Sequence, residues 1–183
     1  MSHIQVPPKW KWLLNESGPK HLLEALRHYG VKEKTGALDN LIILSWAQHL
    51  NVLKIFTSDE IPWCGLFLGY CMHMVGRDPP EKFYRANQWT NWGAMCGGGP
   101  SLGDVLVFVR DGGGHVGLYV GEGKVKGVNV YWVLGGNQGD AVSIVPIERS
   151  RLSSCRRPKY VRAPLNIRRI KIEADGTLSV NES

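Results

Sequence analysis

The sequence predicts an α+β domain in which N-terminal helices pack on an antiparallel β-sheet, and three observations predict it. Between residues 19 and 75 apolar side chains recur at helical spacing, in runs ended by Gly30 and Gly76. From residue 104 onward the pattern changes to short β-branched runs separated by glycine-rich turns, the signature of a meander. Helices first and strands afterwards place the helices against one sheet face. At 183 residues, with 43% hydrophobic residues and seven tryptophans, the chain has the material for one real core and is not a disordered polymer.

Taken in order, residues 6–12 carry prolines and tryptophans and are expected to wrap the domain surface. Residues 19–29 predict a helix with Leu22, Leu23, Leu26 and Tyr29 on its apolar stripe and Ser17 as its cap. Residues 37–50 predict a second helix, with Leu38, Leu41, Ile42, Ser45 and His49 on overlapping faces. The third helix, residues 62–75, opens on Pro62, where a missing N–H costs nothing, with Ser58 or Asp59 as cap, and stops at Gly76 before Asp78-Pro79-Pro80. Residues 81–100 read as an irregular loop bearing Trp89 and Trp92 and released by Gly97-Gly98-Gly99-Pro100. Strands are expected at 104–109, 115–121, 128–134 and 142–145, with a further one at 160–162.

Residues 1–163 thus read as a single domain, residues 1–30 forming its N-terminal extension and first helix, and residues 164–183 as a C-terminal extension. In that extension, alternating residues on either side of Asp175-Gly176 predict a β-hairpin. A lone hairpin is marginal in water, so it is expected to dock on the domain, to pair with another chain, or to remain a flexible tail.

The chemistry centres on Cys64, at the opening of the third helix. Unpaired N–H groups and the helix dipole favour a thiolate there, and so a lowered pKa and a nucleophile. The competing reading is a small buried apolar residue. His115 opens a strand directly after Gly112-Gly113-Gly114, where a histidine has room to face a thiolate. Asn137 stands at a later strand end and can accept from an imidazole and hold its tautomer. Nucleophile, base and orienting residue then follow in that order along the chain.

Pro62-Trp63-Cys64-Gly65, Gly103-Asp104-Val105-Leu106-Val107-Phe108, Gly114-His115-Val116-Gly117-Leu118-Tyr119-Val120-Gly121 and Leu134-Gly135-Gly136-Asn137-Gln138-Gly139-Asp140 together resemble the NlpC/P60 and CHAP group of papain-like peptidoglycan hydrolases, in the branch found in phages and prophages. The resemblance spans residues 31–160. It implies a papain-like fold, with Cys64 as nucleophile, His115 as general base and Asn137 as the third polar residue. At that third position many NlpC/P60 enzymes carry a second histidine, and many CHAP enzymes a glutamate or asparagine. Trp63, Trp92 and Gln138 are the candidate substrate-binding residues, with packing as the competing role of the two tryptophans. Glu33 resembles a recurrent acidic position of the family but reads as a solvated loop carboxylate. The implied activity is cleavage of an amide bond in bacterial cell wall, by an N-acetylmuramoyl-L-alanine amidase or an endopeptidase of phage endolysin or virion-associated type. No cofactor and no metal is called for: the calcium site of some CHAP enzymes has no Asp/Asn cluster to match it here. The alternative is a catalytically inactive wall-binding or phage structural module on the same fold. Acyl transfer by the same residues is a third reading.

Composition narrows the partners. Lys and Arg number 22 against 16 Asp and Glu, a formal charge of +6, which suits polyanionic surfaces or simply solubility. No helix-turn-helix, RNP or zinc-finger pattern accompanies the basic residues, so no nucleic-acid partner is expected. No run has the length of a membrane span, and residues 1–20 do not resemble a signal peptide. The expected partner is peptidoglycan, with a virion component or a second copy of the chain engaged through the C-terminal hairpin. The protein is expected to be made in the cytoplasm and to act on the wall, in the periplasm, after holin-type release or from a virion. Four cysteines at 64, 71, 96 and 155 lack zinc-ligand spacing and predict one reactive thiol and three inert ones, Cys71 in the core.

Overall fold

Three helices form between residues 20 and 74. The computed structural model describes residues 6–36 and 38–173. Helix α1, Lys20–Arg27, buries Leu22, Ala25 and Leu26 and is preceded by Pro19 rather than capped by Ser17. Helix α2, Leu41–His49, is capped by Asn40, whose side chain accepts from the Ile42 N–H at 2.9 Å. Its buried residues are Ile43, Trp46 and Ala47, so the expected apolar face is corrected: Leu38, Leu41 and Ile42 are exposed. Helix α3, Cys64–Met74, begins after Trp63 without a side-chain cap. Asp59, expected to cap it, instead accepts from the backbone N–H groups of Lys34 and Asn40 and ties the preceding loops together.

The sheet has six strands in the order β1-β6-β2-β3-β4-β5, all antiparallel to their neighbours. They are β1 Ala94–Met95, β2 Val105–Arg110, β3 Gly113–Val125, β4 Val128–Gly135, β5 Ser143–Glu148 and β6 Leu152–Arg157. Strands β2 to β5 form the expected meander. The chain then crosses back, and β6 pairs with β2 where a strand at 160–162 was expected; residues 160–162 form no strand. Alternation along the strands makes two cores. Val105, Val107, Val116, Leu118, Val120, Trp132 and Leu134 face the helices. Leu106, Phe108, Tyr119, Tyr131, Val133 and Ile147 build a second cluster on the opposite face.

Residues 8–15 and 164–173 are both drawn into this body. Pro8–Asn15 form a 3-10 helix that lies on the domain surface and seats Trp10 and Leu13 in the core, where Trp10 meets Trp132 edge-on at 5.1 Å. Beyond residue 163, Leu102 N–H bonds to Arg168 O, Lys171 bridges to Glu122 of β3, and Ile170 and Ile172 pack on the main cluster. Residues 164–173 therefore dock on the domain. The turn and second strand of the expected hairpin lie outside the described residues. Among the described residues no helix is long and apolar enough to cross a membrane.

Candidate active site

Three elements converge at the opening of α3. The segment after the helix folds back over it because two glycines, Gly65 and Gly69, leave the space: a Cβ on Gly65 would stand 2.5 Å from the Phe83 carbonyl oxygen, and one on Gly69 would strike the Phe83 ring. Trp89 anchors this segment, fully buried, with its indole N–H donating to Phe83 O at 2.8 Å. On the other side β4 ends at Gly135 while β3 runs on past it.

That mismatch in length exposes one donor. Tyr119 N–H points to β2, where it bonds to Asp104 O. Backbone N–H groups alternate across an antiparallel strand, so the Val116 N–H points to the β4 side, level with residues where β4 has already ended. The Cys64 sulfur lies close enough to that N–H, and to those of Gly65 and of Cys64 itself, for all three to favour its thiolate. The thiol thus rests on the peptide that joins His115 to Val116.

The charge balance at the sulfur differs from the expectation. Burial pushes the Cys64 thiol up from its ordinary value, and this outweighs the three N–H groups and the nearby Arg110 charge, all of which pull it down. Only 7% of the residue is exposed. The expected lowering at a helix start is therefore corrected: the N–H groups are present, but burial removes the water that a thiolate needs.

His115 is fully buried on β3, opposite Phe108 of β2 in the ladder, and its ring stacks on that phenyl ring. Its Nε2 lies 3.0 Å from Oε1 of Gln138. Gln138, read from the sequence as a substrate-groove residue, is held in turn by Val133 O and Ser143 O, which accept from its amide nitrogen. Asn137, the residue expected to accept from the imidazole, has a left-handed backbone with φ of 58° and a buried Oδ1 with no hydrogen-bond partner. Its side chain is turned out of the role that its neighbour fills.

The two tryptophans separate. Trp63 is fully buried against Trp46 and Phe67, and its indole N–H donates to Glu33 Oε1 at 2.6 Å. Its place is packing. Glu33 is accordingly a partnered carboxylate rather than a solvated one. Burial raises its pKa against the pull of the Trp63 bond, and the charges of Asp140, Asp59 and Glu60 raise it further. Trp92 is half-buried, donates to Asp78 O, and lines a cavity of about 370 Å³ with Arg77 and Lys159, near the far end of α3 from Cys64.

The remaining cysteines also depart from the expectation. Cys71 is buried in the core as foreseen, but Cys96 and Cys155 are joined in a disulfide that ties the end of β1 to β6. Their sulfurs and the Asp104 carboxylate lie within 4.8 Å of one another, the one metal-ligand grouping among the described residues. With the sulfurs bonded and the carboxylate gripped by Arg157 at 2.9 and 2.6 Å, it is a covalent and ionic joint. Sequence reading missed Arg110 and the segment folded back over α3. The pair of glycines four apart in α3 was the available sign of a close approach. No protein-family model matches the chain, and no curated protein does.

Proposed function

We propose that the protein is a papain-like cysteine hydrolase of the NlpC/P60–CHAP type that cleaves an amide bond of bacterial peptidoglycan, acting at the wall after release or from a virion. One juxtaposition carries the reading: the Cys64 sulfur, at the first residue of α3, lies beside the N–H of Val116, the residue next to His115, and that N–H favours its thiolate. The substrate class rests on the four sequence motifs.

In this reading the His115 ring, which stands beside Phe108 on the sheet face away from α3, rotates past the end of β4 so that Nδ1 takes the thiol proton, and the sulfur adds to the carbonyl carbon of the substrate amide. Backbone N–H groups at the start of α3 receive the oxyanion. The imidazolium then gives its proton to the leaving amine, and water releases the acyl group and restores the thiol. The three N–H groups at the sulfur and Arg110 favour the thiolate once it forms. Gln138 holds the imidazole, in the place the sequence reading gave to Asn137.

Cys64→Ala should abolish lysis of purified walls with the fold intact, and Cys64→Ser should be nearly as inactive because its hydroxyl stays protonated. Substantial lysis by Cys64→Ala refutes the proposal. Mass spectrometry of fragments from defined muropeptides would tell amidase from endopeptidase. The burial and raised pKa of the thiol favour one second reading, a wall-binding or virion module with an idle site. Wall sedimentation without any released fragment would select it.

A further inference from the structure

Three stretches of chain enclose the cavity of about 370 Å³ that Trp92 lines: residues 76–78 after α3, residues 92 and 93 after the 3-10 turn, and Lys159 after β6. It lies at the opposite end of α3 from Cys64, about 16 Å along the helix axis. The seam between the three is already bonded. Trp92 donates its indole N–H to Asp78 O at 2.9 Å, and Arg77 Nη1 donates to Lys159 O at 3.0 Å. Gly93 packs against the Arg157 carbonyl, which an added Cβ would strike. The Arg77 guanidinium also sits over the Tyr160 ring, 4.8 Å from its centre, so its half-buried fork is held in place before any ligand arrives.

The side chains around the cavity keep binding capacity that the fold does not use. Among the described residues no carboxylate pairs with Arg77 or Lys159, and nothing donates to the Asp78 carboxylate. Arg77 spends one nitrogen on a carbonyl and has further N–H groups in a fork that fits a carboxylate or a phosphate. Lys159 adds a second positive charge. The Asp78 carboxylate accepts only, so it suits hydroxyl groups, and the Trp92 indole supplies an apolar wall. The volume is that of a small-molecule site.

We propose that this cavity binds an acidic sugar, with its carboxylate or phosphate on Arg77 and Lys159, its hydroxyls on Asp78 and its ring against Trp92. The site is separate from Cys64 and does not rest on the hydrolase reading.

The test follows the backbone amides of Gly76 and Gly93, which line the cavity, by nitrogen–proton NMR of the intact chain as a sugar is added. Glucuronic acid and glucose-6-phosphate probe the two acid groups, and at least one should shift both amides saturably with a dissociation constant on the order of 1 mM. The tighter of the two tells carboxylate from phosphate. Glucose, which lacks the charge, and acetate, which lacks the ring, should each bind at least about tenfold more weakly. Arg77→Gln keeps a donor for Lys159 O, and Lys159→Gln alters an exposed side chain. Each should weaken binding of the acid about tenfold while the urea midpoint stays close to that of the parent. The absence of a saturable shift with either acid overturns the site. So does equal affinity for glucose or for acetate, or an affinity that both variants leave unchanged. Cys64→Ala should bind the sugar as the parent does, so loss of the hydrolase reading and loss of this site are told apart.

Discussion

His115 Nε2 stands 3.0 Å from Gln138 Oε1, and the surroundings of Gln138 decide which atom carries the proton. Val133 O and Ser143 O lie 3.1 and 2.6 Å from the Gln138 amide nitrogen. Two carbonyl oxygens need donors, so the NH2 group faces them and Oε1 is left for the ring. Nε2 therefore carries the imidazole hydrogen and Nδ1 is the basic nitrogen. Long-range proton–nitrogen NMR on His115 should report the Nε2–H tautomer, and Gln138→Leu should give a mixture of the two. That variant also strands two buried carbonyls and should lose about 1–3 kcal/mol in urea unfolding. An Nδ1–H tautomer in the unaltered protein would contradict the network.

His21 makes the fold acid-sensitive. It is fully buried, its Nε2 2.7 Å from Gly103 O. Burial, aided by the Arg77 charge and opposed by the Gly103 bond, takes its pKa down to about 4. The unfolded chain binds this proton near 6.5 and the folded chain only near 4. The group's stability is therefore complete above pH ~6.5 and is lost as pH falls toward 4, by about 3 kcal/mol. His28, also lowered by burial, adds in the same direction. Urea unfolding from pH 7 to 4 should show the loss, and His21→Leu should flatten much of it. An unchanged slope in that variant would mean that other groups set the acid limit.

Helix α1 was legible from its 3.6-residue apolar period, α3 from its Pro62 start and Gly76 stop, and strands β2 to β5 from β-branched apolar runs set between turn residues. The β6 strand was not. Leu152-Ser153-Ser154-Cys155-Arg156-Arg157 has no apolar alternation, and its pairing is set by the open edge of β2. Cys64 and His115 could be picked from local chemistry, since a helix start and a glycine-flanked strand mouth are sequence features. The choice between Asn137 and Gln138 could not, because a left-handed turn at Asn137 determines which of two adjacent side chains meets the ring. The thiol's burial was equally hidden, since it is set by tertiary packing: a segment about twenty residues further along the chain folds back onto the neighbouring Gly65.

Arg157 guards a buried charge. The Asp104 carboxylate is fully buried and accepts from Arg157 Nε, Arg157 Nη2 and the Ser101 N–H. Arg157→Ala leaves that carboxylate without its cation and should cost about 3 kcal/mol, toward the lower end for such a pair because the arginine is partly solvated. Asp104→Asn keeps an acceptor for Ser101 and removes the charge, so it should cost less. Urea midpoints decide the order, and the reverse ranking would show that the ion pair is not what Arg157 contributes.

Gly65→Ala should run against the usual rule. In a helix interior the change normally gains about 1 kcal/mol from helix propensity. Here the new Cβ would stand 2.5 Å from Phe83 O and 2.7 Å from the Tyr84 carbonyl carbon, backbone atoms that cannot rotate away. Overpacking of this kind costs about 1–3 kcal/mol, and relief comes only by lifting residues 83–84 off α3. We expect a net loss of up to about 2 kcal/mol in urea unfolding, together with faster alkylation of Cys64. Gly97→Ala is the control, since nothing lies within 4 Å of its Cβ position and its backbone is not left-handed. If Gly65→Ala proves as stable as the parent while Cys64 stays protected, residues 83–84 do not lie on α3 as closely as described, and the thiol owes its burial to something else.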